Sequence, residues 1–565
     1  QFYHTAAGYE ATLVLAQIEA DQGHRLAAAQ LYRELIDTPQ AAARFEPELS
    51  VTAAVNELAA GHSDESTAII RALVESKQSA QLSVSGKTVT LPATGNEATS
   101  WLAGLVGEVK ATALAHGDWL TLRGDPSRNV QTPGGEPHLR PRWEARVVNE
   151  PATESLLMSR QNDFIQRNVV AIPVARPIAV GDVVVMRTPD NVVAVNWQTG
   201  KRVWETRDDQ ELDTEDAPAD LAPGVDRDQL GTQSRPLEER MWDDALASSL
   251  SSDGARVFVI RGMQSPRDEE TAQWQMNPMF GRGGVAGNPT ASNQLVAYDL
   301  TSQGKLAWEL DGGRTAGPLA GAFFLGPPLA VDNTLYVLAE IRGALYVLAI
   351  EPRTGHVEWQ QQLVGLEQGI ALDPARRRAG ATPSYSGGIL VCPTAASTAI
   401  GLDVVKREFA WVYRYPREAQ AGAENRNLWQ QQQAQAQVVR ANDQWLDNSA
   451  IIVDDRVLLT PPESAEIHCL DLHTGKLIWK RRQSDALFIG GVDHGYVLLV
   501  GSQAVQALRL SDGAPAWSQA TVALPSGALP AGQGYLSQGR YFLPLSSGQI
   551  AEIDMASGKI TNDEP

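Results

Sequence analysis

The chain has little of several features that define common protein classes. Only two of its 565 residues are cysteines, Cys392 and Cys469, and they stand far apart in the apolar stretches ILVCP and IHCLDL. We expect both to be small buried hydrophobic residues, with a disulfide or a shared metal as the alternatives. No apolar run approaches the length of a membrane span, and no signal-peptide pattern opens the chain. A direct membrane span is therefore not expected.

The chain also has fewer basic than acidic residues. Lys and Arg number 47 against 67 Asp and Glu, which gives a net charge of −20 and argues against a general nucleic-acid binder. The nine histidines are scattered without the spacing of a metal site. The acidic pairs Asp454-Asp455 and Asp208-Asp209 are interpreted as turn or solvated-loop residues, because calcium needs about six to eight oxygen ligands brought together. We therefore assign no catalytic, cofactor-binding or metal-binding residue.

A chain of this length is too long for one ordinary globular core, and its two parts differ in their pattern of apolar residues. Apolar residues recur at helical spacing near the start, and Gly23, Pro39 and Gly61 separate the stretches. This pattern predicts a helical module at residues 1–76 that resembles degraded tetratricopeptide (TPR) hairpins, with a plain helical bundle as the alternative. Residues 77–117 are predicted to form a linker with a hairpin and a helix.

Residues 118–565 are predicted to be β-rich. In the clearest unit, Asn333 to Trp359, strands are expected at Leu335–Ala339 and Ala344–Ile350, and a third is expected from His356 onward. Short strands at even spacing indicate sheets that repeat around a central axis.

The phrase LDLHTGKLIW, which ends at Trp479, recurs along this region. Its other copies end at Trp204, Trp308, Trp359, Trp411, Trp517 and, in a worn form, Asn562. Five of the six Trp-bearing copies have a glycine four places before the Trp, where a tight turn would favour positive φ. Each Trp is predicted to reach from an outer strand into the crevice against the neighbouring sheet, where backbone accepts its indole N–H. One copy has Arg407 in place of glycine. Such variation is compatible with a packing role of the phrase but not with a catalytic role.

The phrase resembles the tryptophan-docking motif of the PQQ-like (quinoprotein-type) β-propeller family. The segment DWLTLRGDPSRN, Asp118–Asn129, is similar to the one that opens many bacterial propellers of this kind. The resemblance covers roughly residues 118–562 and implies a mainly β fold, a PQQ-like β-propeller with seven countable repeats and seven or eight blades. The helical front end resembles that of planctomycete repeat proteins.

Within the family, the pattern is most similar to the non-enzymatic BamB-like branch. Enzymes of the superfamily hold PQQ and calcium in a central funnel, commonly with two adjacent cysteines. The chain has no adjacent cysteines and none of the extended cofactor loops, so we expect no enzyme activity and no cofactor.

The resemblance also implies two protein-contact residues, Arg378 in DPARRRAGATP and Asp447 in QWLDNSAIIV. Ala375, Arg376 and Arg377 stand where that branch has leucines, and solvated loop charges are the alternative. Three insertions are expected to be partner-contact loops or plain solvated loops: Glu205–Asp228, Gln264–Asn293 and Arg414–Trp445.

The predicted propeller must be closed between its first and last repeats. Asn562–Pro565 is predicted to be too polar for a strand, whereas Arg142–Val148 is predicted to be a strand that carries a further docking residue, Trp143. If the chain is complete, this strand should close a seven-bladed ring against Gln549–Met555. If it is a fragment of an eight-bladed protein, the strand should face a gap one blade wide.

The sequence therefore predicts a non-catalytic protein-interaction scaffold in the periplasm or cell envelope of a bacterium. Its expected partners are other envelope proteins, including a membrane-embedded assembly, and not nucleic acid. Two alternatives remain: a PQQ-dependent dehydrogenase or ligand sensor that uses the central channel, and a structural subunit of a large envelope assembly.

Overall fold

The structure, a computed structural model, describes residues 5–21, 25–59, 63–76, 81–84, 87–92, 94, 97, 101–102, 118–132, 137, 141–146, 148, 150–189, 191–206, 235–264, 291–313, 317–416, 445–482 and 485–562. The chain divides into two compact units. One consists of Gln1–His116 with Val331–Thr334 and Val404–Lys406, and the other of Gly117–Ala330, Leu335–Asp403 and Arg407–Pro565.

The first unit is mainly helical. Its described helices are Ala6–Asp21, Arg25–Ile36, Pro39–Phe45, Glu48–Ala59 and Ser63–Ser76. Pro39 opens its helix, where its missing N–H leaves no helical hydrogen bond unmade. Tyr32 and Ile70 are buried in two separate apolar clusters, and a short antiparallel pair follows, Gln81–Val84 (β1) with Lys87–Thr90 (β2). The helical character predicted for this region is confirmed.

The second unit contains seven sheets in its described residues. Sheet 1 is Ile178–Val180 (β3), Val183–Arg187 (β4), Val192–Asn196 (β5) and Arg202–Glu205 (β6). Sheet 2 is Leu250–Ser252 (β7), Arg256–Gln264 (β8), Ser292–Asp299 (β9) and Lys305–Asp311 (β10). Sheet 3 is Ala322–Phe324 (β11), Leu329–Val331 (β12), Thr334–Ile341 (β13), Ala344–Ile350 (β14) and Val357–Gly365 (β15). Sheet 4 is Ser384–Ser386 (β16), Ile389–Pro393 (β17), Thr398–Asp403 (β18) and Glu408–Arg414 (β19).

The remaining sheets repeat the pattern. Sheet 5 is Ile451–Val453 (β20), Arg456–Leu459 (β21), Glu466–Asp471 (β22) and Leu477–Arg482 (β23). Sheet 6 is Ala486–Asp493 (β24), Tyr496–Gly501 (β25), Ala504–Arg509 (β26) and Val522–Ala523 (β27). Sheet 7 is Tyr535–Ser537 (β28), Arg540–Pro544 (β29), Ile550–Asp554 (β30) and Ile560–Asn562 (β31). Between strands lie a 16-residue helix, Pro151–Gln166, and shorter helices at Arg235–Trp242, Ala245–Ser248, Ile370–Leu372 and Pro374–Ala379, of which Ile370–Leu372 is a 3₁₀ turn.

Strands that follow each other in the chain pair antiparallel within each sheet, except that β11 and β12 of sheet 3 both pair with β13. The predicted mainly β character is confirmed, and the two strands predicted in the Asn333 unit correspond to β13 and β14. Arg342 and Gly343 between them both have positive φ, 52° and 77°. Such a turn matches the right-handed twist of a hairpin.

The predicted closure is wrong. β31 occupies the outer edge of sheet 7, where Ala551 pairs with Asn562. The described residues between Arg142 and Arg146 form no strand. Three residue pairings beyond the turn at Gly558 are enough to place this short segment on the sheet edge.

Both cysteines are free and buried, as expected. Burial raises the pKa of Cys469 to about 12, and Cys392 also has a raised pKa because it is buried. Neither thiol is poised as a thiolate nucleophile.

Candidate functional site

One segment, Asp118–Thr132, lies among the sheets, and we name it the axial segment. It turns back on itself, because Leu120 N–H donates to Gly124 O (3.1 Å) and Gly124 N–H donates to Thr121 O (2.9 Å). Gly124 has a φ of 96°, and a Cβ there would overlap the side chain of Val130. The position therefore requires glycine.

The axial segment is hydrogen-bonded to the first strands of six of the seven sheets. The bonds are Trp119 N–H to Ala179 O (2.7 Å), Ser252 N–H to Leu120 O (2.8 Å), Tyr385 N–H to Pro126 O (2.8 Å), Ile452 N–H to Ser127 O (2.8 Å), Val492 N–H to Asn129 Oδ1 (2.9 Å) and Thr132 N–H to Leu536 O (3.0 Å). Each first strand is the sheet edge opposite the outer strand, so the segment lies where the sheets converge. It pairs backbone groups that would otherwise be unmatched.

Arg123 anchors the axial segment electrostatically. Its Nε lies 2.9 Å from Asp447 Oδ2, and the two side chains are 10% and 5% exposed. Its guanidinium also donates to Ile489 O in β24. Burial alone would raise the pKa of Asp447, but Arg123, Arg176 and the hydrogen bonds from Ser449 outweigh it and hold that pKa well below its usual range. Asp447 is therefore a buried carboxylate ion.

Arg128 is the second buried cation of the segment and is 2% exposed. It donates to Thr121 Oγ1 (2.6 Å), Leu122 O (2.9 Å) and Pro383 O (3.0 Å). Burial lowers the pKa of its guanidinium to about 10, so the side chain stays charged at neutral pH. From the sequence, this segment was expected only to precede the propeller. Its charged and amide side chains, which stand close to Gly and Pro, were the signal that it bonds to other parts of the chain.

The tryptophans of the repeated phrase lie against the glycine turn of the next sheet. The pairs are Trp143 with Gly200, Trp204 with Gly304, Trp308 with Gly355, Trp411 with Gly475, Trp479 with Gly513 and Trp517 with Gly558. These glycines have φ between 65° and 74°, and a Cβ at Gly475 would lie 2.5 Å from Cγ of Trp411. The indole N–H of Trp411 donates to Leu472 O (2.6 Å) and that of Trp479 to Leu510 O (2.8 Å). Each such copy of the phrase therefore has a glycine that contacts the Trp of the copy before it and a Trp that contacts the glycine of the copy after it.

Two tryptophans depart from this pattern. Trp359 faces Arg407, whose guanidinium carbon lies 5.5 Å from the ring centroid, in a cation–π contact. Trp143 comes from outside the sheets, yet its indole N–H donates to Trp197 O (2.7 Å) in the turn of sheet 1. The stabilising role of all seven tryptophans stays a prediction.

The two expected contact residues are placed differently. Arg378 Nε lies 3.2 Å from Asp243 Oδ2, and the Arg378 side chain is 27% exposed. Asp447 faces inward to Arg123, so its burial does not fit an exposed contact surface. Their loops nevertheless meet, because Asn448 donates to Gly380 O (2.6 Å). Apart from their ends, the three predicted insertions lie outside the described residues.

Within the described ranges, no group of three or more His, Cys, Asp and Glu side chains is arranged to hold a metal ion. The helices of those same ranges include none with the length and apolar character needed to cross a bilayer.

Comparison with known proteins identifies the class. The sequence profile of the family described as "Outer membrane protein assembly factor BamB" matches residues 239–445 and 418–565, more than half of the chain. The chain belongs to this family of PQQ-like β-propeller repeat proteins, so the predicted fold class is confirmed.

Several solved structures are similar at low identity. BamB from Moraxella catarrhalis is 14% identical over 68% of this chain and 79% of that chain, with a TM-score of 0.36. Quinohemoprotein alcohol dehydrogenase from Comamonas testosteroni is 12% identical over 80% of this chain and 74% of that chain, with a TM-score of 0.42. A search of the curated proteins finds no match.

Proposed function

We propose that the chain is a non-catalytic protein-interaction scaffold of the bacterial cell envelope, where its propeller docks other envelope proteins. The family supports this role, since it is described as that of an outer-membrane assembly factor. The observation that carries the proposal is the axial segment. Its bonds occupy the first strands of six sheets with the protein's own chain.

The rival function is an enzyme or ligand sensor that uses the central channel. A cofactor at the centre would have to displace the bonds that the segment makes between Trp119 and Thr132, and it would separate the buried charges of Arg123 and Asp447. Separating a buried ion pair in this way costs several kcal/mol (about 3–5). We therefore expect no PQQ to bind. In the test, purified chain is incubated with PQQ and calcium, and absorbance and dye-linked alcohol oxidation are recorded. Stoichiometric retention of PQQ with turnover would replace the scaffold role by an enzymatic one.

The loop that carries Arg378 is the proposed partner contact. This arginine is the more accessible of the two expected contact residues, and arginines are common hot spots of interfaces. We propose residues 1–76 as a second contact module and residues 118–565 as the propeller, joined through residues 77–117. If both units serve as contacts, the chain acts as a structural subunit of a larger envelope assembly.

The scaffold role is tested by affinity capture from native membranes, with mass spectrometry of what remains bound. Arg378→Gln removes the charge without placing an acid beside Asp243, and we expect it to weaken capture of the specific partner. The matched control is Arg353→Gln, because Arg353 is a surface arginine that is 77% exposed and lies 3.5 Å from an acidic neighbour. Equal capture by both variants would remove Arg378 from the interface, and capture of no envelope protein by the unaltered chain would refute the scaffold role.

A further inference from the structure

The axial segment contacts the sheets in the way that a bound peptide contacts a receptor. Six sheets offer an edge strand to it, and the bonds that join them are mainly backbone to backbone at 2.7–3.0 Å. Addition of an extended peptide to exposed sheet edges is a common recognition mode, in which backbone bonds give affinity and side chains give specificity.

Side chains of the segment supply that specificity. Arg123 meets the buried carboxylate of Asp447 at 2.9 Å. Asn129 bonds Val492 twice, because its Nδ2 donates to Val492 O (3.0 Å) and its Oδ1 accepts from Val492 N–H (2.9 Å). Arg128 donates to Pro383 O (3.0 Å). The sheets and their connections thus contact a guanidinium and a side-chain amide of the segment at fixed positions, on either side of its glycine turn.

The residues that receive these groups belong to distant parts of the chain. Asp447 lies 324 residues from Arg123, and Val492 lies 363 residues from Asn129. The receiving groups sit on first strands or on connections between sheets, and each sheet also has its own antiparallel ladder. The sheets therefore form a receptor whose other hydrogen bonds do not depend on the segment.

We propose, independently of the scaffold role, that the centre of the propeller is a peptide-binding site whose ligand here is the chain's own axial segment. The ligand class is a peptide that folds back at an Arg-Gly turn and has an asparagine five residues after the glycine, as in Arg123, Gly124 and Asn129. Covalent attachment gives the segment a high effective concentration at the site. A free peptide therefore binds detectably only when that attachment is cut.

The experiment uses the full chain with protease recognition sequences inserted between residues 110 and 111 and between residues 134 and 135. The protein is folded first and cut afterwards. Size-exclusion chromatography reports whether the cut segment stays bound, and tryptophan emission reports whether the sheets stay folded. A fluorescent synthetic peptide of residues 118–132 is then titrated, and its anisotropy measures exchange into the cut protein.

We expect the cut segment to co-elute with the propeller and the labelled peptide to exchange in saturably. Peptides with Arg123→Ala or Asn129→Ala should bind about tenfold or more weakly, because each loses a charge-assisted or a paired hydrogen bond. A Ser127→Ala peptide is the matched control, since among the residues that the structure describes the Ser127 hydroxyl bonds only Asp125, inside the segment (2.8 Å). It should bind like the unaltered peptide.

Two outcomes would overturn the proposal. In the first, the cut protein keeps its folded emission spectrum but takes up no peptide, or takes up all variants equally. In the second, cutting unfolds the sheets, which would make the segment an indispensable core element and not a ligand. Neither outcome bears on capture of envelope partners, so the scaffold role is tested separately.

Discussion

Replacing Asp447 by asparagine tests how strongly the axial segment is held. Asn keeps the size of the side chain and an oxygen for the bonds from Ser449 N–H and Oγ (3.0 and 2.7 Å), but it removes the charge that Arg123 faces. Breaking a buried ion pair by removing one partner costs about 3–5 kcal/mol. We expect the low end, about 3 kcal/mol, because Arg123 keeps its carbonyl acceptors in β24. The assay is denaturant unfolding at pH 7 followed by tryptophan emission, since nearly all tryptophans lie after residue 117.

A matched control separates this buried pair from an ordinary one. Arg540 and Glu552 also lie 2.9 Å apart, but their side chains are 45% and 20% exposed. Glu552→Gln should therefore lower the free energy of unfolding by less than about 1 kcal/mol. In the double variant Arg123→Met with Asp447→Leu, both charges are gone, and its loss should be smaller than the sum of the two single losses.

The acid dependence gives a second measurement. The pKa of Asp447 is lower in the folded chain than the value of about 3.9 of a free aspartate. The stabilisation is therefore fully present above that value and is lost as the pH falls through the folded pKa. The Asn variant should lack this part of the acid dependence. If Asp447→Asn is no more destabilising than Glu552→Gln and keeps the unaltered acid profile, the axial segment is not held by this ion pair.

Three further predictions concern stability. Trp479→Ala should lower the free energy of unfolding by about 3–5 kcal/mol without removing one binding activity; an unchanged melting curve with a lost partner would make Trp479 a binding residue instead. Trp143→Phe loses the indole N–H bond to Trp197 O together with part of the ring near Gly200, and should cost about 1 kcal/mol or more by denaturant unfolding; no loss would mean that Trp143 does not stabilise the turn of sheet 1. Burial lowers the pKa of His468 to about 4, so the unfolded chain takes up its proton first and stability should fall between about pH 6.5 and pH 4. His468→Gln should flatten that slope in thermal melts, and an unaltered slope would contradict the assignment.

The strands and docking turns could be predicted because their signals are local. Alternation of apolar residues and one glycine before each Trp are visible within about ten residues, the length over which strand and turn geometry is decided. β14 was predicted with its observed bounds, Ala344–Ile350. Arg407 looked like a break in the motif, and the structure shows its guanidinium over Trp359.

The centre of the propeller could not be predicted, because its contacts are not local. Asp118–Thr132 has no apolar period, and its partners lie up to 404 residues away. The family resemblance indicated an outward acid at Asp447. The chain has an arginine, Arg123, that reaches this carboxylate from inside, and a buried carboxylate with such a partner gains more than a solvated one.

The residues that pair with the docking tryptophans explain why a cysteine, Cys469, stands in its strand. Five outer strands carry a bulge just before the Trp, which turns the ring toward the next sheet. The Trp then stands across from a small residue on the strand before it: Trp204 from Ala194, Trp308 from Ala297, Trp359 from Ala349, Trp411 from Gly401 and Trp479 from Cys469. At Gly401 even a Cβ would overlap the Trp411 ring. Cys469 therefore takes the place that alanine or glycine takes in the other sheets, where the position requires a small side chain and not thiol chemistry. The repeat thus includes a small residue on the strand before the Trp as well as the phrase itself.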